Sequence, residues 1–168
     1  MNTIHAIRIV GICLLGLAVS CSSIAIDAVD EGGARTRQID SLFLGAVEVK
    51  SDEMTNARES LMRTMGFMLK KRAFRAGTAL DAGDRAEQYP FHAALSVFVV
   101  KGGDVLEPRT ASVAFFRVVD AKSGAAVITI KAASDSCDLA HPGDQAALCA
   151  TIAERLDAAV KGPAGWFR

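Results

Sequence analysis

Between Phe91 and Ala133 three strand-length apolar runs are separated by turn signals, and this stretch narrows the choice of fold more than any other part of the chain. Phe91 to Lys101 (FHAALSVFVVK) is rich in β-branched and aromatic residues and closes on Gly102-Gly103-Asp104. After a Glu107-Pro108 break, Thr110 to Val119 forms a second run. Asp120-Ala121-Lys122-Ser123-Gly124 then returns the chain into a third, Ala125 to Ala133. A short turn with glycine where a positive φ suits it joins adjacent antiparallel strands. The stretch therefore predicts hairpin-connected strands. The chain has 168 residues, 51% hydrophobic and 23% charged, which is one ordinary domain and excludes a mainly disordered polymer.

The flanking segments add helices. Ser41 to Val49 (SLFLGAVEV) is nearly continuous in its apolar run and reads as a buried central strand. Ser51 can cap a helix, with Asp52 and Glu53 where carboxylates favour its positive end. Met54, Ala57, Leu61, Met65 and Met68 recur at helical spacing, widened by Met62 and Leu69, and predict an amphipathic helix to about Arg72. Ala73 to Leu80 is a short strand and Asp81 to Pro90 a turn-rich loop. Asp144 caps a last helix carrying Ala147, Leu148, Ile152, Leu156 and Val160, which Gly162-Pro163 stops. The order β-α-β-β-β-β-α gives an α/β (α+β) fold class: a mostly antiparallel, four- to five-stranded sheet with two helices packed on one face.

The N-terminus sets the location. Residues 1–8 carry one permanent positive charge, Arg8, and Ile9 to Val19 is an uncharged run of eleven residues. That is too short to cross a bilayer, which takes about 20 apolar residues, but it suits the core of an export signal. It ends in Ala18-Val19-Ser20-Cys21, which resembles the lipobox of bacterial lipoproteins, with Ala18 where Leu is preferred. The resemblance implies cleavage before Cys21, diacylation of its thiol and acylation of its new amine. A plain secretory signal with Cys21 incidental is the other reading. Residues 1–20 are then signal peptide, and residues 21–39 are the lipidated cysteine and a flexible tether, with a reach of roughly 25 Å. Residues 40–161 form the domain and 162–168 a C-terminal tail. Ile24, Ala25 and Ile26 as an edge strand is the alternative within the tether. Ser22, rather than Asp, after the cysteine favours outer-membrane sorting.

Phe115 to Thr129 (FFRVVDAKSGAAVIT) resembles the hairpin of envelope lipoproteins that share the fold of the TolB amino-terminal domain, among them curli-secretion and penicillin-binding-protein-activator lipoproteins. Strand, long helix, strands, hairpin and closing helix follow their order over residues 40–161. The resemblance implies an envelope protein that works through protein–protein contacts.

The search for chemistry returns little. The mature chain keeps 18 basic and 19 acidic residues, a balance that argues against nucleic acid as partner. It contains no G-x-S-x-G sequence and no phosphate-binding loop. His92 alternates with apolar neighbours and reads as a packed or surface histidine. Cys137 and Cys149, with eleven residues between them, are expected to form a disulfide in an oxidising compartment. Free thiols are one alternative, and a metal site with His141 and Asp138 or Asp144 is the other, although the spacing matches no common zinc pattern. Four of the five methionines lie on the first helix, where core packing is the ordinary role. Lys70, Lys71, Arg72 and Arg75 either complement the helix dipole or meet an anionic surface. Trp166 and Phe167 either fold back on the domain or dock a partner. No catalytic residue, metal or cofactor is expected. The reading is a non-enzymatic lipoprotein anchored to the membrane and meeting other envelope proteins, with self-association possible in its class. A binding module for a glycan or small molecule is the alternative.

Overall fold

The computed structural model describes residues 24–51, 57–103 and 108–162. Six strands form one sheet: β1 (Ile24–Asp30), β2 (Ser41–Lys50), β3 (Arg75–Thr78), β4 (Phe91–Gly103), β5 (Pro108–Asp120) and β6 (Ala126–Ser134). Two α-helices accompany them, α1 (Ala57–Lys71) and α2 (Pro142–Lys161). The sheet order is β1-β6-β5-β4-β2-β3. β1–β6, β6–β5 and β5–β4 pair antiparallel, whereas β4–β2 and β2–β3 pair parallel. The α+β class read from the sequence is the observed one, with one strand more than expected and a parallel portion around β2.

The extra strand corrects the tether. IAIDAVD alternates with period two, and Ile24, Ile26 and Ala28 pack against the core while β1 pairs with β6 over seven positions. A 3-10 helix, Gly33–Gln38, follows, with Thr36 and Ile39 buried. Only Ser22 and Ser23 separate Cys21 from the sheet. The segment expected as a tether, residues 21–39, is therefore folded from Ile24 onward.

Alternation decides which faces are buried. On β4, Phe91, Ala93, Leu95 and Val97 face the helices, and on β5 Ala114, Phe116 and Val118 do the same. β2 shifts register between Leu44 and Ala46, so its buried set passes from Leu42 and Leu44 to Val47. Phe43 packs on the opposite face against Tyr89 and His92. That bulge is why the segment reads as continuously apolar. α1 buries Leu61, Met65 and Leu69, and α2 buries Leu148, Ile152 and Leu156. Gly66 lets α1 approach β3, since a Cβ there would lie 2.7 Å from Thr78 Cγ2. α1 ends on Ala73 at φ +68°, a left-handed residue from which Phe74 N–H bonds back to the Leu69 carbonyl. Gly124 supplies the positive φ expected in the β5–β6 turn. α2 begins two residues before Asp144, with Pro142 in its first turn. The capping residues Asp52 and Glu53 lie outside the described residues.

The register gives the sheet two distinct ends. Ile24, Ser134, Ser112 and Val99 stand opposite one another in a single row across four strands. Beyond that row only β4 and β5 continue, pairing as far as Gly103 and Pro108. At the other end lie Asp30, the 3-10 helix, Ser41, Arg75, Phe91 and Asp120.

Candidate functional site

Cys21, Trp166 and Phe167 lie outside the described residues, yet the elements beside them are placed. β1 starts at the Ile24 end. α2 starts there too, after β6, packs against the 3-10 helix and finishes at Gly162 towards the Asp120 end. The described chain therefore begins, at Ile24, and stops, at Gly162, at opposite ends of the domain.

The Asp120 end is tied by charge. Asp120 accepts hydrogen bonds from the backbone N–H groups of Ser123 (3.0 Å) and Lys122 (2.9 Å) and from Arg35 Nε (2.8 Å), and a second Arg35 nitrogen also meets it. The Ser123 N–H first, and then the Arg35 guanidinium, hold its carboxyl down to about 2. Arg35 lies 5.0 Å over the Phe91 ring. Asp30 accepts from Gly32 N (3.1 Å), Gly33 N (2.8 Å) and Thr36 Oγ1. Arg35 and Asp120 are 85 positions apart, and sequence reasoning missed both as partners. Asp30 before Gly32-Gly33 was the available signal for a turn.

Cys137 lies in the loop before α2 and Cys149 on α2, both buried and both free thiols. The disulfide expected between them is not formed in this structure. Burial pushes both thiols up, Cys149 to about 12 with the charge of Cys137 adding to it. His141 is an exposed residue 3.8 Å from Asp138, and Asp144 accepts from Asp138 N at 2.8 Å. Among the described residues no three His, Cys, Asp or Glu side chains are placed to hold a metal ion.

His92 Nε2 lies 3.1 Å from the Ala86 carbonyl and its ring packs edge-on to Phe43, a packed histidine. Met62 and Met65 are core residues, and Met68 packs against that core. Met54 lies outside the described residues. The basic group falls at the end away from Ile24: Lys70 sits 3.8 Å from Asp81, Arg72 3.3 Å from Glu154, and Arg75 over the Tyr89 ring. That placement fits the dipole role. Two hollows flank α1. One, of about 250 Å³, is lined by Met68, Lys71, Arg72, Ala150 and Ala153. The other, of about 240 Å³, lies between Phe67, Lys70, Leu80 and Asp81. Both are smaller than the roughly 300–1,000 Å³ of ordinary small-molecule sites. Among the described residues no helix is long and apolar enough to cross a membrane.

No protein-family model matches the chain, and no curated protein matches it by sequence. Its fold is similar to that of PelC from Paraburkholderia phytofirmans, solved as a dodecamer. The TM-score is 0.57 and the identity 16%, over 80% of this chain and 98% of that one. A second crystal form, of a PelC variant, gives 0.56 over the same shares. Lipoprotein GNA1162 from Neisseria meningitidis aligns with a TM-score of 0.43 and 13% identity, over 69% of this chain and 96% of that one.

Proposed function

We propose that this protein is a lipoprotein of the bacterial cell envelope, anchored through Cys21 to the periplasmic face of the outer membrane. Its domain acts without catalysis as an assembly module for copies of itself and for other envelope proteins. The observation that carries the reading is a fold similar to PelC, solved as a dodecamer, on a chain whose Cys21 completes a lipobox-like sequence. The sheet supports self-association because, among the described residues, it ends in two different unpaired edges, β1 and β3. Joining one edge to the other in a neighbouring copy is a head-to-tail contact, the kind that closes rings. Three acyl chains exceed the two signals that stable anchoring takes. Contact with other proteins falls to the end where α2 delivers the tail with Trp166 and Phe167, residue types enriched in binding hot spots.

Fatty-acid-analogue labelling and native mass spectrometry test the reading. The wild-type protein takes up label, fractionates with membranes and is extracted as an oligomer, while Cys21→Ser loses label and membrane together. Equal labelling of Cys21→Ser overturns the anchor, and a monomer at every concentration overturns the assembly. Deleting residues 163–168 removes co-purifying partners but leaves the oligomer, and unchanged partners overturn the role of the tail.

A further inference from the structure

We infer that the projecting end of the β4–β5 hairpin rests on the lipid headgroup layer beside the anchor, so that the domain stands on the membrane by two feet. This rests on the reading of Cys21 as the acylated residue. β1 begins in the row Ile24–Ser134–Ser112–Val99, and β2 stops pairing with β4 one position earlier, at Phe98. Past the row, β4 runs on through Val100, Lys101, Gly102 and Gly103, paired only with β5. Four residues of strand extend about 13 Å. From Ile24 back to Cys21 is three residues, at most about 10 Å when fully extended. Ile24 and the arm lie at the same end of the sheet, the arm three strand spacings, about 14 Å, to the side. A lipid held at Cys21 therefore brings the headgroup plane within reach of the arm. An eighteen-residue tether would not impose this; the pairing of β1 with β6 does.

The chemistry of the arm sets its depth. Past the row no other described strand pairs with its strands, so their outward N–H and C=O groups need water or headgroup partners, and such edges do not enter hydrocarbon. Val100 is 59% exposed and pairs with Ala111, an apolar rung suited to the boundary above that layer.

The test uses the full acylated chain in vesicles of phosphatidylethanolamine and phosphatidylglycerol with a fraction of headgroup-nitroxide lipid. A fluorophore is attached at Val100→Cys or, at the opposite end, at exposed Arg37→Cys; Cys137 and Cys149 stay buried. Flotation with the vesicles, with quenching several-fold stronger at position 100 than at 37, is expected. A third protein with twelve Gly/Ser residues inserted between Ser23 and Ile24 should float equally and lose most of that difference. Failure to float overturns the anchor and the arm's placement with it. Flotation with equal quenching at both positions overturns the arm alone, as does an undiminished difference with the long tether. A blue shift at position 100 in the detergent-solubilised oligomer, without quenching in vesicles, assigns the arm to a neighbouring copy and also overturns the proposal. If Val100→Cys does not fold, the label moves to Ala111→Cys, its cross-strand partner, with the same expected outcomes.

Discussion

Whether residues 24–39 belong to the folded domain is decided by two substitutions, Ile39→Ala and Ile26→Asp, in the soluble protein beginning at Ser22. Ile39 is 1% exposed and belongs to the core, two positions before β2 begins. Removing a fully buried isoleucine side chain to alanine costs about 2–5 kcal/mol, the transfer loss plus the cavity left behind. At about 3 kcal/mol, and with roughly 3–4 °C per kcal/mol for a domain of this size, Ile39→Ala lowers Tm by about 10 °C. Ile26 is half-buried, lies opposite Ala132 in β6 and packs against the core, so an aspartate there places a carboxylate against apolar surface. That costs about 2 kcal/mol or more. A flexible tether predicts changes within about 0.5 kcal/mol for both. Urea unfolding followed by circular dichroism reads the midpoint at unchanged slope, and calorimetry reads Tm. Two variants indistinguishable from wild type would refute the strand assignment, and with it the short reach between Cys21 and the sheet.

Ala73→Gly should stabilise the protein by about 0.5–1 kcal/mol, because φ +68° is strained for alanine and open to glycine, and a thermal melt checks it. Gly77→Ala should destabilise by about 1–3 kcal/mol, since a Cβ there would lie 2.5 Å from the Tyr89 hydroxyl and displace the ring from its 3.0 Å bond to Asp84; near-UV circular dichroism of the single tyrosine should report the movement. Asp120 ionises at about 2 when folded against an ordinary 3.8, so its bonds stabilise above pH 4 and that contribution is lost as pH falls towards 2. The urea midpoints of wild type and Asp120→Asn should differ at pH 6 and converge near pH 2. Cys149 shifts the other way, to about 12 from 9.0, so stability is full below pH 9 and declines as pH rises from 9 towards 12, a decline that Cys149→Ala should flatten. In the reduced native protein neither Cys137 nor Cys149 should react with iodoacetamide at pH 8, while both react in urea.

Strands β4, β5 and β6 and both helices were legible because each carries its period locally. Five or more apolar residues in β4 or in α2 repeat on one face whatever their neighbours do. β1 was not legible for a related reason. Its alternation, Ile24, Ile26, Ala28, is present, but the strand is an edge, its apolar side chains are only half-buried, and its partner β6 lies about a hundred positions away. Gly32-Gly33 and the acidic pair Asp30-Glu31 weigh locally towards a linker. The parallel placement of β2 between β4 and β3 was equally hidden, since an apolar run states that a strand is buried but not which strands bury it. Gly45 marked the bulge, yet the register shift it accompanies is a property of the pair β2–β4.

The functional consequences lie in this unreadable, long-range part. From sequence, the tail with Trp166 and Phe167, the basic group Lys70, Lys71, Arg72 and Arg75, and the turn Gly102-Gly103 are positions on a line. The register sorts them onto two ends of one sheet. The basic group and the last turn of α2 lie at the Asp120 end, while β1 and the β4–β5 arm leave from the Ile24 end. With Cys21 acylated as proposed, three residues before Ile24, the Asp120 end faces away from lipid. On that proposal the cations at the end of α1 are poorly placed to bind the membrane. Their partners are Asp81, Glu154 and Tyr89 within the domain.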